Sequence, residues 1–214
     1  MNRESYDVDC RRCPRLASHL RGIREDYPEY HALPVPPFGD DNAKLLIVGL
    51  APGMHGANAT GRPFTGDYAG ILLYKTLHMY GYSNLAEVSS ADDGLELKNC
   101  RITNAVKCLP PENKPIGAEV NNCNRFLQHE IASLGEKYVL LALGGVAHKA
   151  VLKALSLKAS NFAFGHANVH ELEAGQWLVD SYHCSRYNTQ TRRLTEAMFF
   201  EVFDNIDEKI SLIN

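Results

Sequence analysis

The chain has 214 residues, 45% of them apolar and 22% charged, which is globular material long enough for one well-buried core. A formal net charge of −3 excludes a molecule that binds polyanions over its whole surface, so any nucleic-acid contact must come from a local patch. No run approaches the roughly 18 apolar residues of a membrane span, and MNRESYDVDCRRCPRL lacks a signal peptide's apolar centre, so a cytoplasmic protein is expected.

In chain order, a C-x2-C pair, Cys10 and Cys13, leads into LASHLRGIRED, where Leu16, Leu20 and Ile23 have helical spacing. Arg11, Arg12, Arg15, Arg21 and Arg24 crowd this segment, as either a solvated face or a basic patch. The connector YPEYHALPVPPFGDDN has too many prolines for a helix or a central strand and reads as a surface linker. Residues 44–49 are a buried strand that stops at Gly49-Leu-Ala-Pro-Gly53, the place where open α/β sheets present ligand sites.

Glycines 49, 53, 56, 61, 66 and 70 give the following loop the close backbone approach that wrapping a flat ligand requires, and Phe64 and Asp67 stand among them. There is no Lys-Ser/Thr of a P-loop and no dinucleotide glycine spacing. A glycine-rich surface loop without chemistry is the plain alternative. ILLYKTLHMYGY then reads as a helix stopped by Gly81, and 84–98 as an acidic loop with at most a short helix.

Further strands are expected at 100–107, 138–143 and 176–182, with helices at 119–134, 146–155 and 193–212. Strands alternating with helices imply a three-layer α/β/α sandwich around a central four-stranded parallel sheet, as a single domain over 1–214 with an N-terminal arm of about 1–43. Strands one, two and four end in Gly49, Asn104 and His183, which gathers Phe64, Asp67, Asn104 and His183 at one edge.

Three stretches in order, GLAPGMHGANATGRPFTGD (49–67), ITNAVKCLPPENKP (102–115) and HCSRYNTQTRRLT (183–195), resemble the motifs of the uracil-DNA glycosylase superfamily, in its family 5 branch. The resemblance implies a DNA repair enzyme that flips out uracil, and other deaminated bases such as hypoxanthine, and cleaves the N-glycosidic bond. Its partner would be DNA carrying such bases, met by a monomer that is nucleoid-associated when bound.

Carried onto this chain, the resemblance makes Asp67, Asn104 and His183 catalytic, with Gly53 and Phe64 helping to hold the base. Phe64 would stack on the flipped base, though a loop Phe is as often a core plug. Asn104 offers a donor and an acceptor together, as the uracil edge requires, or is a strand-end turn residue. His183 would donate to a carbonyl of the departing base. Leu50-Ala51-Pro52-Gly53 is apolar where other branches carry a polar water-activating residue, which leaves Asp67 as the nearest carboxylate. Arg186 and Tyr187 are the large residues of the last motif, a loop in this reading, and Asn188, Thr189 and Thr191 are its phosphate-binding candidates.

Six cysteines in a cytoplasmic chain point to metal or packing. Cys108 and Cys123 are fifteen residues apart, which departs from a zinc ribbon's second C-x2-C. The resemblance implies a 4Fe-4S cluster on Cys10, Cys13, Cys108 and Cys123 that staples the arm and offers its arginines to DNA, leaving Cys100 and Cys184 over. Cys184 replaces a residue that is often proline in this motif. Two other readings stand beside this one. A zinc nucleobase deaminase would need H-x-E and P-C-x-x-C, which the chain lacks. A non-catalytic iron–sulfur nucleic-acid-binding module with a degenerate cleft would need neither.

Overall fold

A computed structural model describes residues 6–213, so the first five residues of the expected arm lie outside the described residues. In chain order its elements are α1 (Pro14–Asp26), β1 (Phe38–Gly39), β2 (Leu45–Gly49), α2 (Ala57–Thr60), α3 (Tyr68–Met79), β3 (Cys100–Asn104), α4 (Gly117–Ala132), β4 (Tyr138–Leu143), α5 (Gly145–Ala154), β5 (Val169–Glu173), β6 (Gln176–Ser181), α6 (Arg186–Gln190) and α7 (Glu196–Ile213).

The four apolar runs form the parallel centre of the sheet in the order β3-β2-β4-β6. Period-two side-chain alternation sorts each strand between two cores. Leu45, Ile47, Ile102, Leu141 and Val179 face α3 and α7, while Leu46, Val48, Leu140 and Leu178 face α4 and α5. The three layers are those expected from the sequence.

The sheet has six strands and not four, because β1 and β5 add antiparallel edges beside β3 and β6. Neither carries a strand signal. β1 is two residues long in a proline-rich stretch, and β5, VHELE, is polar and half-exposed with a register shift between Glu171 and Glu173.

The connector is likewise no surface linker. Ala32 and Val35 are buried, and its backbone is tied down where Ala32 N–H donates to the Asn58 carbonyl (2.9 Å) and Val35 N–H to that of Lys107 (2.7 Å). Prolines bar it from the middle of a sheet but not from a packed extended path. Residues 84–98 contain no helix. The last motif is also no loop: Ser185 caps α6, its hydroxyl accepting from Asn188 N–H at 3.4 Å. No helix among the described residues is long and apolar enough to cross a membrane.

Candidate active site

The carboxyl ends of β2, β3, β4 and β6 open on a cleft of about 500 Å³. Gly53, Phe64, Asp67, Asn104, His183 and Arg186, all expected from the sequence, line it together. Leu50 and Ala51, the apolar stretch noted in the sequence, line it too, whereas the sequence reading missed Tyr68, Ala69, Asn113, Leu143, Ser185, and Gly144 to Val146 at the start of α5. The Gly144-Gly145 exit of β4 was the signal for the last of these, because parallel strands deliver all their carboxyl ends to one edge.

Asp67 sits at the N-cap of α3, yet its carboxylate turns back into the glycine loop, where Oδ2 accepts Ala57 N–H at 3.0 Å. A Cβ on Gly53 would stand 2.0 Å from Asp67 Oδ1, and one on Gly56 would stand 2.2 Å from its Cγ. These glycines are therefore required for room around the carboxylate. Burial raises the Asp67 pKa, and hydrogen bonds from the Ala57 and Gly53 backbone oppose that rise.

Phe64 is buried with φ +59°, a left-handed conformation that an aromatic residue adopts only when its surroundings impose it. The constraint comes from both sides. Tyr74 Oη donates to the Pro63 carbonyl at 2.6 Å, and the Phe64 carbonyl lies where only Gly70 fits. Beneath the turn the buried Arg62 donates to Thr65 Oγ1 (2.7 Å), the Ser90 carbonyl (2.5 Å) and Asp93 Oδ2 (2.7 Å). The Arg62 guanidinium in turn holds the Asp93 carboxyl down at about 2. The acidic 84–98 loop thus supplies the counter-charge that fixes the aromatic turn, a pairing across 31 residues that no local pattern announces.

Asn104 is almost fully buried, and its Oδ1 has no hydrogen-bond partner among the described residues. Gly49, its neighbour across the β2–β3 ladder, has no room for a side chain, since a Cβ there would meet Asn104 Oδ1 at 2.4 Å and the Phe64 ring at 2.7 Å.

His183 lies roughly parallel to Phe64, ring centroids 6.1 Å apart and planes 25° apart, and its backbone carbonyl accepts from Asn188 Nδ2 at 2.8 Å. Burial pushes its pKa down to about 4, so the imidazole is neutral at pH 7. The unfolded chain, titrating near 6.5, binds the extra proton first. His183 therefore contributes stability that is complete above about pH 6.5 and lost as pH falls toward 4, at most about 3 kcal/mol. His183→Gln is expected to flatten the difference in unfolding free energy between pH 7 and pH 4.5, and NMR of the imidazole should find it neutral at pH 6. A midpoint near 6.5 would contradict both.

Below the cleft, His148 of α5 bonds Asp180 of β6 (Nδ1 to Oδ1, 2.7 Å), and His170 Nε2 faces the other oxygen at 3.4 Å. This is the group of three whose ligand atoms lie within 4.8 Å of one another. At 2.7 Å, Nδ1 and Oδ1 share a hydrogen bond, closer than the roughly 3.3 Å between two ligands of a tetrahedral zinc. The pair braces α5 against β6, the strand that leads into His183.

On α6, Arg186 lies 5.8 Å over the Tyr68 ring at the cleft mouth, and Tyr187 is 71% exposed. Thr189 and Thr191 donate their hydroxyl protons to the carbonyls of Ser185 and Tyr187, and Asn188 is committed to His183, so these three hold the helix in register.

The four expected cysteines, Cys10, Cys13, Cys108 and Cys123, line one small apolar cavity behind the cleft, whereas Cys100 and Cys184 are buried in the core. Lys107 N–H donates to Cys123 Sγ at 3.3 Å, and burial pushes the Cys123 thiol up to about 11. The Arg15 guanidinium forks onto Glu119 at 2.8 and 2.9 Å and fastens α1 to α4.

Comparison with known proteins identifies the family. Residues 36–207 match the family described as the uracil DNA glycosylase superfamily. The chain is 44% identical to the type-5 uracil-DNA glycosylase of Thermus thermophilus over 94% of this chain and 95% of that one. It is 44% identical to the type-5 enzyme of Pyrobaculum aerophilum (91% and 86% covered) and 27% identical to a type-4 uracil-DNA glycosylase of Archaeoglobus fulgidus (91% and 87%).

Proposed function

This chain belongs to the uracil DNA glycosylase superfamily, and from that premise we propose that it hydrolyses the N-glycosidic bond of uracil in DNA, leaving an abasic site. The observation that carries this reading is Asn104 Oδ1, a buried acceptor without a partner among the described residues, at the wall of a cleft shared with Phe64, Asp67 and His183. A buried polar atom is costly unless it is satisfied, and uracil N3–H satisfies it while O4 accepts from the same carboxamide.

The other groups take the charges that bond cleavage creates. The base leaves as an anion and the sugar becomes oxocarbenium-like. Neutral His183 donates its N–H to the departing base, and Phe64 stacks on the ring. Asp67 presents its carboxylate to the sugar, and with apolar Leu50 and Ala51 beside it, it is the carboxylate of the cleft. Hypoxanthine and xanthine offer N1–H beside O6, the same donor–acceptor edge as uracil N3–H beside O4, so they are substrates in the same reading.

Single-turnover assays on duplexes carrying uracil, hypoxanthine or xanthine, against cytosine and adenine controls, test this. Release of the deaminated bases alone is expected. No release from any duplex would leave a non-catalytic nucleic-acid-binding module.

The four cysteines hold a 4Fe-4S cluster in this reading. They converge on one apolar cavity, the Lys107 N–H is aimed at a sulfur, and buried thiolates need a nearby cation. Among the described residues no three of these sulfurs lie within 4.8 Å of one another, a wider set than the ligands of one ion. The cluster supplies a structural staple and no step of the reaction. It clamps the arm (about 1–43) of a single domain that works as a cytoplasmic monomer on DNA.

Flipping a nucleotide leaves a gap in the stack, and one of the pair Arg186 and Tyr187 fills it. The double change Arg186→Ala, Tyr187→Ala is expected to reduce uracil release from duplex by about tenfold or more relative to single strands, where no stack need be opened. Equal losses on both substrates would reduce the pair to backbone contacts.

A further inference from the structure

Lys107 is more thoroughly enclosed than any cation of the cleft, with 2% exposure, and lies three residues beyond Asn104. Its Nζ donates to Thr103 Oγ1 and to the Asn104 backbone carbonyl (3.0 Å), and stands 2.7 Å from Oε1 of the fully buried Glu130 on α4. The Glu130 carboxylate accepts no other hydrogen bond from the described residues, so this ion pair is what compensates its charge. The backbone of Lys107 faces the other way. Its N–H donates to Cys123 Sγ at 3.3 Å, its carbonyl accepts Val35 N–H at 2.7 Å, and Cys108 follows it.

A buried ion pair of this kind adds little net stability, since desolvation consumes most of the attraction. What it does is fix geometry. Asn104 ends its strand at the cleft, and its carboxamide oxygen has no hydrogen-bond partner among the described residues to hold its aim. The Lys107 amine gripping the Asn104 carbonyl from behind is a constraint on that residue's backbone, and α4 and the cysteine cavity anchor the grip.

We propose that Lys107, paired with Glu130, is a positioning residue that sets the aim of Asn104 toward the base and ties that aim to the four-cysteine site. The inference rests on the glycosylase reading above.

The test is a double-mutant cycle on binding, independent of turnover. Duplexes carry either 2′-fluoro-2′-deoxyuridine, whose glycosidic bond resists cleavage, or a tetrahydrofuran abasic analogue. The ratio of the two affinities reads the base contact alone. Lys107→Met alone leaves a buried carboxylate uncompensated, so the variant used is Lys107→Met with Glu130→Leu, which removes the pair together. It is expected to retain the iron content of the unaltered protein and to lower the uracil preference about tenfold, the worth of one misaligned hydrogen bond. Placed on Asn104→Ala, it should lower the preference no further, because both changes act on one contact. Losses that multiply, or an unchanged preference, would overturn the proposal. If the unaltered protein shows no uracil preference at all, it is the glycosylase reading that has failed.

Discussion

Asp67→Asn is expected to slow single-turnover release of uracil by about 10²–10⁴-fold while leaving duplex affinity nearly unchanged, the range typical of losing a positioned acid–base or electrostatic group. The amide keeps an oxygen to accept the Ala57 N–H that the carboxylate now takes at 3.0 Å and gives up only the acceptor facing the Gly53 N–H, so the glycine loop is expected to keep its path. What disappears is the negative charge facing the sugar as it becomes oxocarbenium-like. A second variant reaches the same carboxylate without altering it. In Gly53→Ala the new methyl would start 2.0 Å from Asp67 Oδ1, so the carboxylate must move out of place, and a comparable loss is expected. If both variants turn over at the unaltered rate, Asp67 is a structural brace of the glycine loop and nothing more.

The second large effect concerns the cysteine cavity. Purified protein should be brown, with a broad visible band and about four irons per chain. Cys123→Ser should abolish both, because it removes a sulfur that lines the cavity and accepts the Lys107 N–H at 3.3 Å. With the cluster gone, α1 keeps only the Arg15–Glu119 fork and the packing of Leu20 and Ile23 against Ala32 and Leu109, so the arm should loosen before the sheet does, read as amide exchange concentrated in 10–35. Cys100→Ser provides the contrast, since that thiol is buried in β3 away from the cavity and its loss should leave iron unchanged. Colourless protein with stoichiometric zinc on these cysteines would sink the assignment.

Much of this molecule was legible because its signals are local. Continuous apolar runs at 45–49 and 138–143 can be little other than strands buried on both faces, the shorter run Trp177-Leu178-Val179 marks a third, and the spacing of Leu16, Leu20 and Ile23 is a helix face. Once those strands are parallel, their ends share one edge, which is why Phe64, Asp67, Asn104 and His183 meet in the structure. The edge strands were not legible. β1 owes its existence to pairing with β3, and β5 to pairing with β6, and such pairing leaves no period in a two-residue or half-exposed segment.

By itself, then, the sequence determined the layer order, the edge on which the cleft opens and the residue types that reach it, since these follow from hydrophobic period and from where each strand stops. Only the tertiary structure decided how those residues are held. Arg62 finds Asp93, Lys107 finds Glu130, and Asp67 turns back onto Gly53 and Ala57 instead of capping its own helix. A buried charge must be compensated by whichever group the fold brings within reach, and that partner is chosen by distance in space, which a reading along the chain does not contain.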